Sequence, residues 1–515
     1  MSETGSRKWI VTITVILAAL LELIDTTVVN VSLPQIMGNL GATLSEVGWV
    51  VTSYAIANVI IVPMTGWLSS KFGRKNYFTF SILLFTAASF FCGNANNIWE
   101  LVAFRFIQGI GGGALLSSSQ AILYETFPKE EMGLASAMFG MGIIIGPTIG
   151  PTLGGYITDH FSWPWVFYIN LPLGIIAALL TVAYVREPEH KRDTSTIDWI
   201  GIGLLIVGIG SLQTLLERGQ DEDWFSSRLI IVLTVCAAAG LIGFVWHELT
   251  TEHPVVDLRV LRNRSLALGT IFTFILGFGL FSTVFIIPIF TQNLLGFTAQ
   301  QTGLLLLPGS LFSGFMMPFV GTALKKGMRP QILSAGGFIL FFVFVYWMSG
   351  FNADVGQGNF VIPLIIRGAG LGLLFVPITT MALSGLAPKD IPQGTGLTNM
   401  MRQLGGSFGI ALVGTFLQHR VAFHRADLVS YINDYSISFQ NRISSYQQNF
   451  IAKGYSISDA QQLAYRAIDG AITKQAFLLS YLDIFLAIGV FFLCCIPLLF
   501  FVRLKKSAQP IMGGH

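Results

Sequence analysis

Charge is scarce in this sequence. Asp, Glu, Lys and Arg make up 11% of 515 residues, where soluble domains carry about a quarter. A larger core cannot absorb the difference, because the exterior of a soluble protein of any size must be polar. The chain therefore meets a solvent that accepts apolar surface, which is lipid. Four cysteines, Cys92, Cys236, Cys494 and Cys495, fall in apolar stretches without metal-ligand spacing, so they read as small buried hydrophobes. No phosphate-cradling G-x-x-x-x-G-K-[ST] motif occurs, which argues against ATP as the energy source. "GSLFSG" lacks the strand–turn–helix setting of a nucleophile elbow, and no histidine pair has metal spacing. An enzyme is not expected, nor a cofactor. The net charge of +3 is too small to point to nucleic acid.

What is present is a series of long apolar runs, near 9–32, 45–67, 77–95, 98–124, 133–157, 165–185, 198–216, 229–247, 266–290, 301–322, 331–349, 359–386, 395–418 and 476–502. Each approaches the ~20 residues that a spanning helix requires. None shows the polar–apolar alternation of a barrel strand, so the expected class is an all-α membrane protein with fourteen spans. The first run is too long for the apolar core of a cleavable signal. An even count places both termini on one side. With the N-terminus inside, Lys and Arg collect at the inner loops, for example Lys71, Arg74, Lys75, Lys191, Arg192, Arg259, Arg262, Lys325, Lys326, Arg503, Lys505 and Lys506. The short outer loops hold only Arg218 and Arg228, the asymmetry expected of cytoplasmic termini. Arg105, Arg367 and Arg402 fall within the spans.

Three landmarks recur in order at nearly constant separation. "GWLSSKFGRK" from Gly66 is echoed by "GTALKKGMRP" from Gly321, "RFIQGIGGG" with Arg105 by "IIRGAGLG" with Arg367, and "GLASAMFGMG" from Gly133 by "GLTNMMRQLG" from Gly396. Two related halves of six helices are expected, residues 1–190 and 256–515, with two additional spans in the linker 191–255. Parallel repeats of this kind characterise the major facilitator architecture.

"LLELIDTTVVNVSLP" places Glu22 and Asp25 inside the first apolar run. At 1.5 Å per residue Asp25 lies ~24 Å along its helix, and Arg105 ~10 Å from the outer end of the fourth, so their depths roughly coincide. A charge at mid-membrane costs about 2.5–3.5 kcal/mol on insertion scales, so Asp25 and Arg105 are expected to meet in one polar cavity. Glu22 lies three residues earlier, roughly on the same face. Two readings stand for this group: a proton-handling site formed by Asp25, Glu22 and Arg105, or a static ion pair locking two helices.

On the fourth run Arg105, Gln108, Gly109 and Gly112 share one face, polar at one end and bare below. Gly142, Gly146, Gly150 and Gly154 recur every four residues, with Pro147 and Pro151 between them. Such an array makes a smooth ridge for close helix packing, and each proline removes a backbone hydrogen bond. The loop with Gly66, Gly73 and Arg74 reads as a cytoplasmic anchor or as a latch between moving parts. Candidate cavity residues are Asn30, Gln108, Phe281, Phe285 and Arg367. Most of the 42 phenylalanines are expected to face lipid. Asp483 is expected near the outer surface, wetted. Residues 419–475 form a polar external segment that reads as amphipathic helix and loop, either an ordered cap or a partner surface.

"LIDTTVVNVSLP", "GWLSSKFGRK", "RFIQGIGGG" and "GIIIGPTIGPTLGGY" resemble the first-helix, loop, arginine and antiporter motifs of the major facilitator superfamily. With fourteen spans, the chain resembles its drug:proton antiporters of the EmrB/QacA type, closest to the EmrB branch. Ser70 stands where that family's loop carries an acid, and Pro164 where it carries an arginine. The resemblance implies proton-coupled efflux of lipophilic compounds across the bacterial inner membrane by alternating access. It also implies a periplasmic membrane-fusion adaptor and an outer-membrane channel as partners in Gram-negative cells. A same-fold exporter of one native metabolite, such as a fatty acid, siderophore or signalling lipid, is the alternative.

Overall fold

The computed structural model describes residues 6–187, 196–432 and 436–501. The 190/191 boundary, both chain termini and the basic residues Lys191, Arg192, Arg503, Lys505 and Lys506 lie outside those residues. Among the described residues there are helices and no strand. The first bundle comprises α1 (Ser6–Leu40), α2 (Leu44–Phe72), α3 (Arg74–Gly93), α4 (Ile98–Thr126), α5 (Met132–His160) and α6 (Trp165–Tyr184, interrupted at Ile169). Two further helices follow, α7 (Trp199–Arg218) and α8 (Arg228–Thr250). The second bundle is α9 (Arg264–Ile289), α10 (Ala299–Lys325), α11 (Pro330–Met348), α12 (Gly358–Leu383), α13 (Ile391–Ser430) and α15 (Ile457–Cys495), with α14 (Ile437–Ala452) between the last two.

Thirteen of these helices are apolar and long enough to cross a membrane. The fourteenth, α13, is diluted by Gly, Thr, Asn, Arg and Gln, but it also crosses. Gln393 at its start lies under Gly66 of α2, and Thr415, past its midpoint, bonds Trp224 beside α8. "N-face" below denotes the side on which α1 begins.

The repeat legible in the sequence is a repeat of packing. Within the first bundle α4 packs on α2 and α3, α1 on α5, and α3 on α6; α12 packs likewise on α10 and α11, α9 on α13, and α11 on α15. The bundles meet through α5 against α10 and α2 against α13, a pseudo-twofold exchange of second and fifth helices. Its echoed glycines sit at those seams. A Cβ on Gly133 would lie 3.0 Å from the Gly321 carbonyl oxygen, and one on Gly396 the same distance from that of Val62. Gly73 and its counterpart Gly327 both take left-handed φ, 88° and 89°, at the α2–α3 and α10–α11 turns.

The added pair rests on α2 through α7 and reaches both halves. Arg218 donates to the Ser45 carbonyl at 3.2 Å, whereas Gln213 donates to Ser407 Oγ at 2.8 Å. The last two apolar runs belong to longer helices than hydropathy showed. At 40 and 39 residues, α13 and α15 are about twice the ~20 residues a span needs and extend on the side away from the N-face, where α14 packs on α15 over the buried Ile443, Ala460 and Ala464. Hydropathy ends where the chain turns amphipathic, but the backbone hydrogen bonds continue.

Two side-chain expectations need correction. Ten phenylalanines, including Phe272, Phe338, Phe341 and Phe344, are among the largest fully buried side chains, and Phe341 stacks on Phe492 at 4.2 Å between ring centroids. Six of them fill the second bundle's interior, and Phe78, Phe85, Phe139 and Phe167 lie inside the first, rather than face lipid. Among the cysteines Cys92 and Cys495 are buried, but Cys494 is exposed.

Candidate functional site

Asp25 and Arg105 meet directly. Arg105 Nη1 donates to Asp25 Oδ2 at 2.6 Å and to Gln108 Oε1 at 2.7 Å. The Gln108 amide donates to Asp25 Oδ1 at 2.9 Å and to Ser89 Oγ at 2.7 Å. Asn170 donates to the same Asp25 oxygen at 2.7 Å. Arg105 Nε caps the Val50 carbonyl at 3.2 Å, and its guanidinium carbon sits 4.2 Å from the Tyr54 ring centroid. Asp25 is 0% exposed and Arg105 1%. The pair therefore draws on α1, α2, α3, α4 and α6, all within the first bundle. Every carboxylate oxygen has a partner, as buried charge requires.

Glu22 shares the α4-facing side of α1 but has partners of its own. Asn58 Nδ2 donates to it at 2.8 Å, and the Leu116 backbone N–H at 3.2 Å. Those contacts place it one turn nearer the N-face, at the level where the two bundles touch. Gly112 and Gly113 make this possible, because a Cβ on either would collide with Tyr54 or Asn58.

The second bundle keeps the arginine without the acid. Arg367 Nε donates to Thr283 Oγ1 at 3.0 Å, so a threonine of α9 occupies the role that Asp25 of α1 plays for Arg105. Arg367 is buried inside that bundle, away from the Asp25 site. Gln108, expected to line a cavity, is fully buried in the ion-pair network with both ends bonded. Asn30 is exposed on the far half of α1, and Phe281 and Phe285 are part-buried on α9. No motif or spacing in the sequence marks Ser89, Asn170 or Asn58. Their one available signal is being polar within apolar runs.

The glycine–proline array lies along α1. Cβ atoms on Gly146 and Gly154 would lie 2.6 Å from Leu23 Cβ and 2.9 Å from the Val28 carbonyl oxygen, and Gly150 abuts Thr27. Its opposite side meets α10, where Thr148 and Ser310 hydroxyls are 2.6 Å apart. The loop motif closes within its own half. Arg74 pairs with Glu125, and the Arg74 backbone N–H donates to Glu187 at 2.6 Å. Glu125 and Glu187 thus supply the acid that Ser70 lacks. Asp483 is part-exposed and accepts from Arg420 Nε and His424 Nε2, both at 2.7 Å.

Ties between the bundles gather toward the N-face. Asn399 donates to Gln120 at 2.7 Å, Ser136 and Thr380 hydroxyls are 2.9 Å apart, and Glu131 accepts from Lys8 of α1 and from Lys325 of α10 at 3.3 Å. The Lys8 hydrogen bond, then Lys325, holds the Glu131 carboxyl below the ordinary glutamate range. A depressed carboxyl contributes closure that is complete above the ordinary range and is lost as pH falls through the depressed value. Glu131→Gln is accordingly expected to lengthen the distance between spin labels at Asn76→Cys and Lys326→Cys at neutral pH. It should also remove part of the lengthening that acid produces in the parent protein.

Residues 15–410 match the Major Facilitator Superfamily. The chain is 35% identical over 506 residues to "Fatty acid resistance protein FarB" of Neisseria gonorrhoeae, covering 98% of this chain and 97% of that one. It is 34% identical over 512 residues to "Multidrug export protein EmrB" of Escherichia coli K12, covering 99% and 98%. The human organic anion transporter MFSD10 has the same fold, with a TM-score of 0.59 at 14% identity over 95% of this chain and all of that one.

Proposed function

Because the chain belongs to the major facilitator superfamily of transporters, we propose that it exports lipophilic compounds in exchange for protons across a bacterial inner membrane. The observation that carries this reading is the position of Glu22 and Asp25. Two buried acids stand on one helix of the first bundle: Asp25 inside that bundle, and Glu22 one turn nearer the N-face, at the level where a second, pseudosymmetric bundle closes against it. The basic loops support a cytoplasmic N-face. The structure, tied at that face, then represents the outward-facing arrangement. Protonation and substrate favour opposite arrangements, because a ligand shifts a conformational balance only through differential affinity. The overshooting helices α13, α14 and α15 form an extramembrane surface suited to a periplasmic adaptor that leads to an outer-membrane channel.

Reconstituted into vesicles, the protein is expected to move a lipophilic dye uphill when a pH gradient is imposed, and to release protons on adding the dye. Transport indifferent to the gradient would exclude the exchange. The likeness to a fatty acid resistance protein favours a second reading, a dedicated exporter of a long-chain acid. Under that reading resistance is confined to fatty acids, whereas the first predicts resistance to chemically unrelated compounds.

A further inference from the structure

Arg402 of α13 has no role in the site described so far, although it is a charge about 17 Å along its helix from the N-face at 1.5 Å per residue. It is 4% exposed. One guanidinium nitrogen donates to Asn399 Oδ1, and Nη1 has no hydrogen-bond partner. Asn399, one turn earlier, is the residue that ties α13 to Gln120 of α4. Across that seam the buried acid is Glu22. Glu22 accepts from the Leu116 amide of α4, one turn from Gln120, to which Asn399 and through it Arg402 are bonded, so the two charges flank the same turn of α4 without forming an ion pair. A buried cation is costly without an anion to offset it. Glu22 is anchored to the first bundle by Asn58 and Leu116, so its attraction for Arg402 pulls α13, and the second bundle with it, onto the closed N-face.

We propose that Arg402 is the positioning residue through which the second bundle senses the charge on Glu22, so that protonating Glu22 loosens the Asn399–Gln120 seam and opens the N-face. This rests on the proton-exchange reading, and it has the sign that reading needs. A proton taken up from outside would release the cytoplasmic closure, and loss of that proton inside would restore it after substrate binds.

The groups around Glu22 leave few rivals. α2 presents Tyr54 and Asn58, α4 the Leu116 amide, and α13 Arg402. On α1 itself Asp25 is already matched by Arg105. α6 carries no charged residue, and those of α5 lie at its far end. Around Arg402 stand Asn399, the Phe375 ring at 5.7 Å and Tyr124 of α4.

The test uses the full chain in lipid nanodiscs, spin-labelled through Asn76→Cys and Lys326→Cys in a background lacking native cysteines. Glu131→Gln is included so that its own acid response is removed. Acid is expected to lengthen the inter-label distance. Glu22→Gln and Arg402→Met should each lengthen it at all pH values and lose the acid response, whereas Arg402→Lys should keep it. Combining Glu22→Gln with Arg402→Met should add little to either alone, since both remove one interaction. An acid response that persists in Arg402→Met, additive effects in the double variant, or a parent protein unresponsive to acid would each overturn the proposal. The Arg402→Lys and double variants separate this outcome from simple misfolding. Dye transport distinguishes the two readings. Proton-driven export with an acid response indifferent to Arg402 sinks this inference alone, and an Arg402-dependent response without proton-driven export sinks the exchange reading alone.

Discussion

Neutralising Asp25 alone, as Asp25→Ala, is expected to destabilise the protein by about 3–5 kcal/mol and to abolish proton-driven efflux. The size follows from what remains. Arg105 would stay 1% exposed, with its strongest acceptor gone and only Gln108 and the Val50 carbonyl to receive its protons. Asp25→Asn fares little better, because its amide N–H would have to point at one of three donors, Arg105, Gln108 or Asn170. Removing both charges, Asp25→Asn with Arg105→Gln, leaves only neutral groups that can pair among themselves, and is expected to recover most of the stability. Thermal unfolding in detergent measures the first effect and vesicle transport the second. These two readouts decide between the roles open for this pair. A proton-handling acid predicts that efflux stays lost in the stable double variant. A static lock predicts that efflux returns along with stability.

That ambiguity could not be resolved from the sequence, because spacing gives the depth of a charge but not its partners. Depth alone correctly brought Asp25 to Arg105, since both lie where lipid makes an unmatched charge costly. It also placed Glu22 on the same face as Asp25, and both do face α4. What spacing could not show is that one turn separates two environments. Asp25 sits among polar side chains of α3, α4 and α6, and Glu22 sits at the seam with the other bundle. The architecture was legible for a related reason. Lipid requires each spanning segment to satisfy its own backbone, so the helices, the repeat and the paired turn glycines all leave local marks. Features set by tertiary contact were not legible. The run at 395–418 marks α13 as a span, but its continuation to Ser430 leaves no hydropathy signal. The aromatic interior of the second bundle reads as lipid-facing surface until Phe341 and Phe492 are seen stacked. Glu125 and Glu187, distant in sequence from the loop motif, supply its missing acid.

A graded series along α5 should separate the glycines that hold α1 from those that do not. Gly150→Leu is expected to give the largest effect. Thr27 fills the space its side chain would need, so α1 must move, and overpacking of this kind costs about 1–3 kcal/mol. The functional loss should exceed the loss of stability. Thr27 is two residues from Asp25, and shifting α1 by even a fraction of an ångström lengthens the bonds from Arg105, Gln108 and Asn170 that define the acid's environment. Alanine at Gly146 or Gly154 should have a smaller effect in the same direction, against Leu23 and the Val28 backbone. Gly142→Ala should be tolerated, because its nearest neighbour, Ile16 Cγ2, would be 3.6 Å from the new Cβ. Gly155→Ala, adjacent to Gly154 with nothing within 4 Å, should be silent or slightly stabilising, since it removes only backbone freedom from the unfolded chain. Efflux and unfolding temperature measured across the five variants should rank in that order. If Gly155→Ala impaired transport as much as Gly150→Leu, the array would be acting as a flexible hinge in its own right, and close packing on α1 would not explain it.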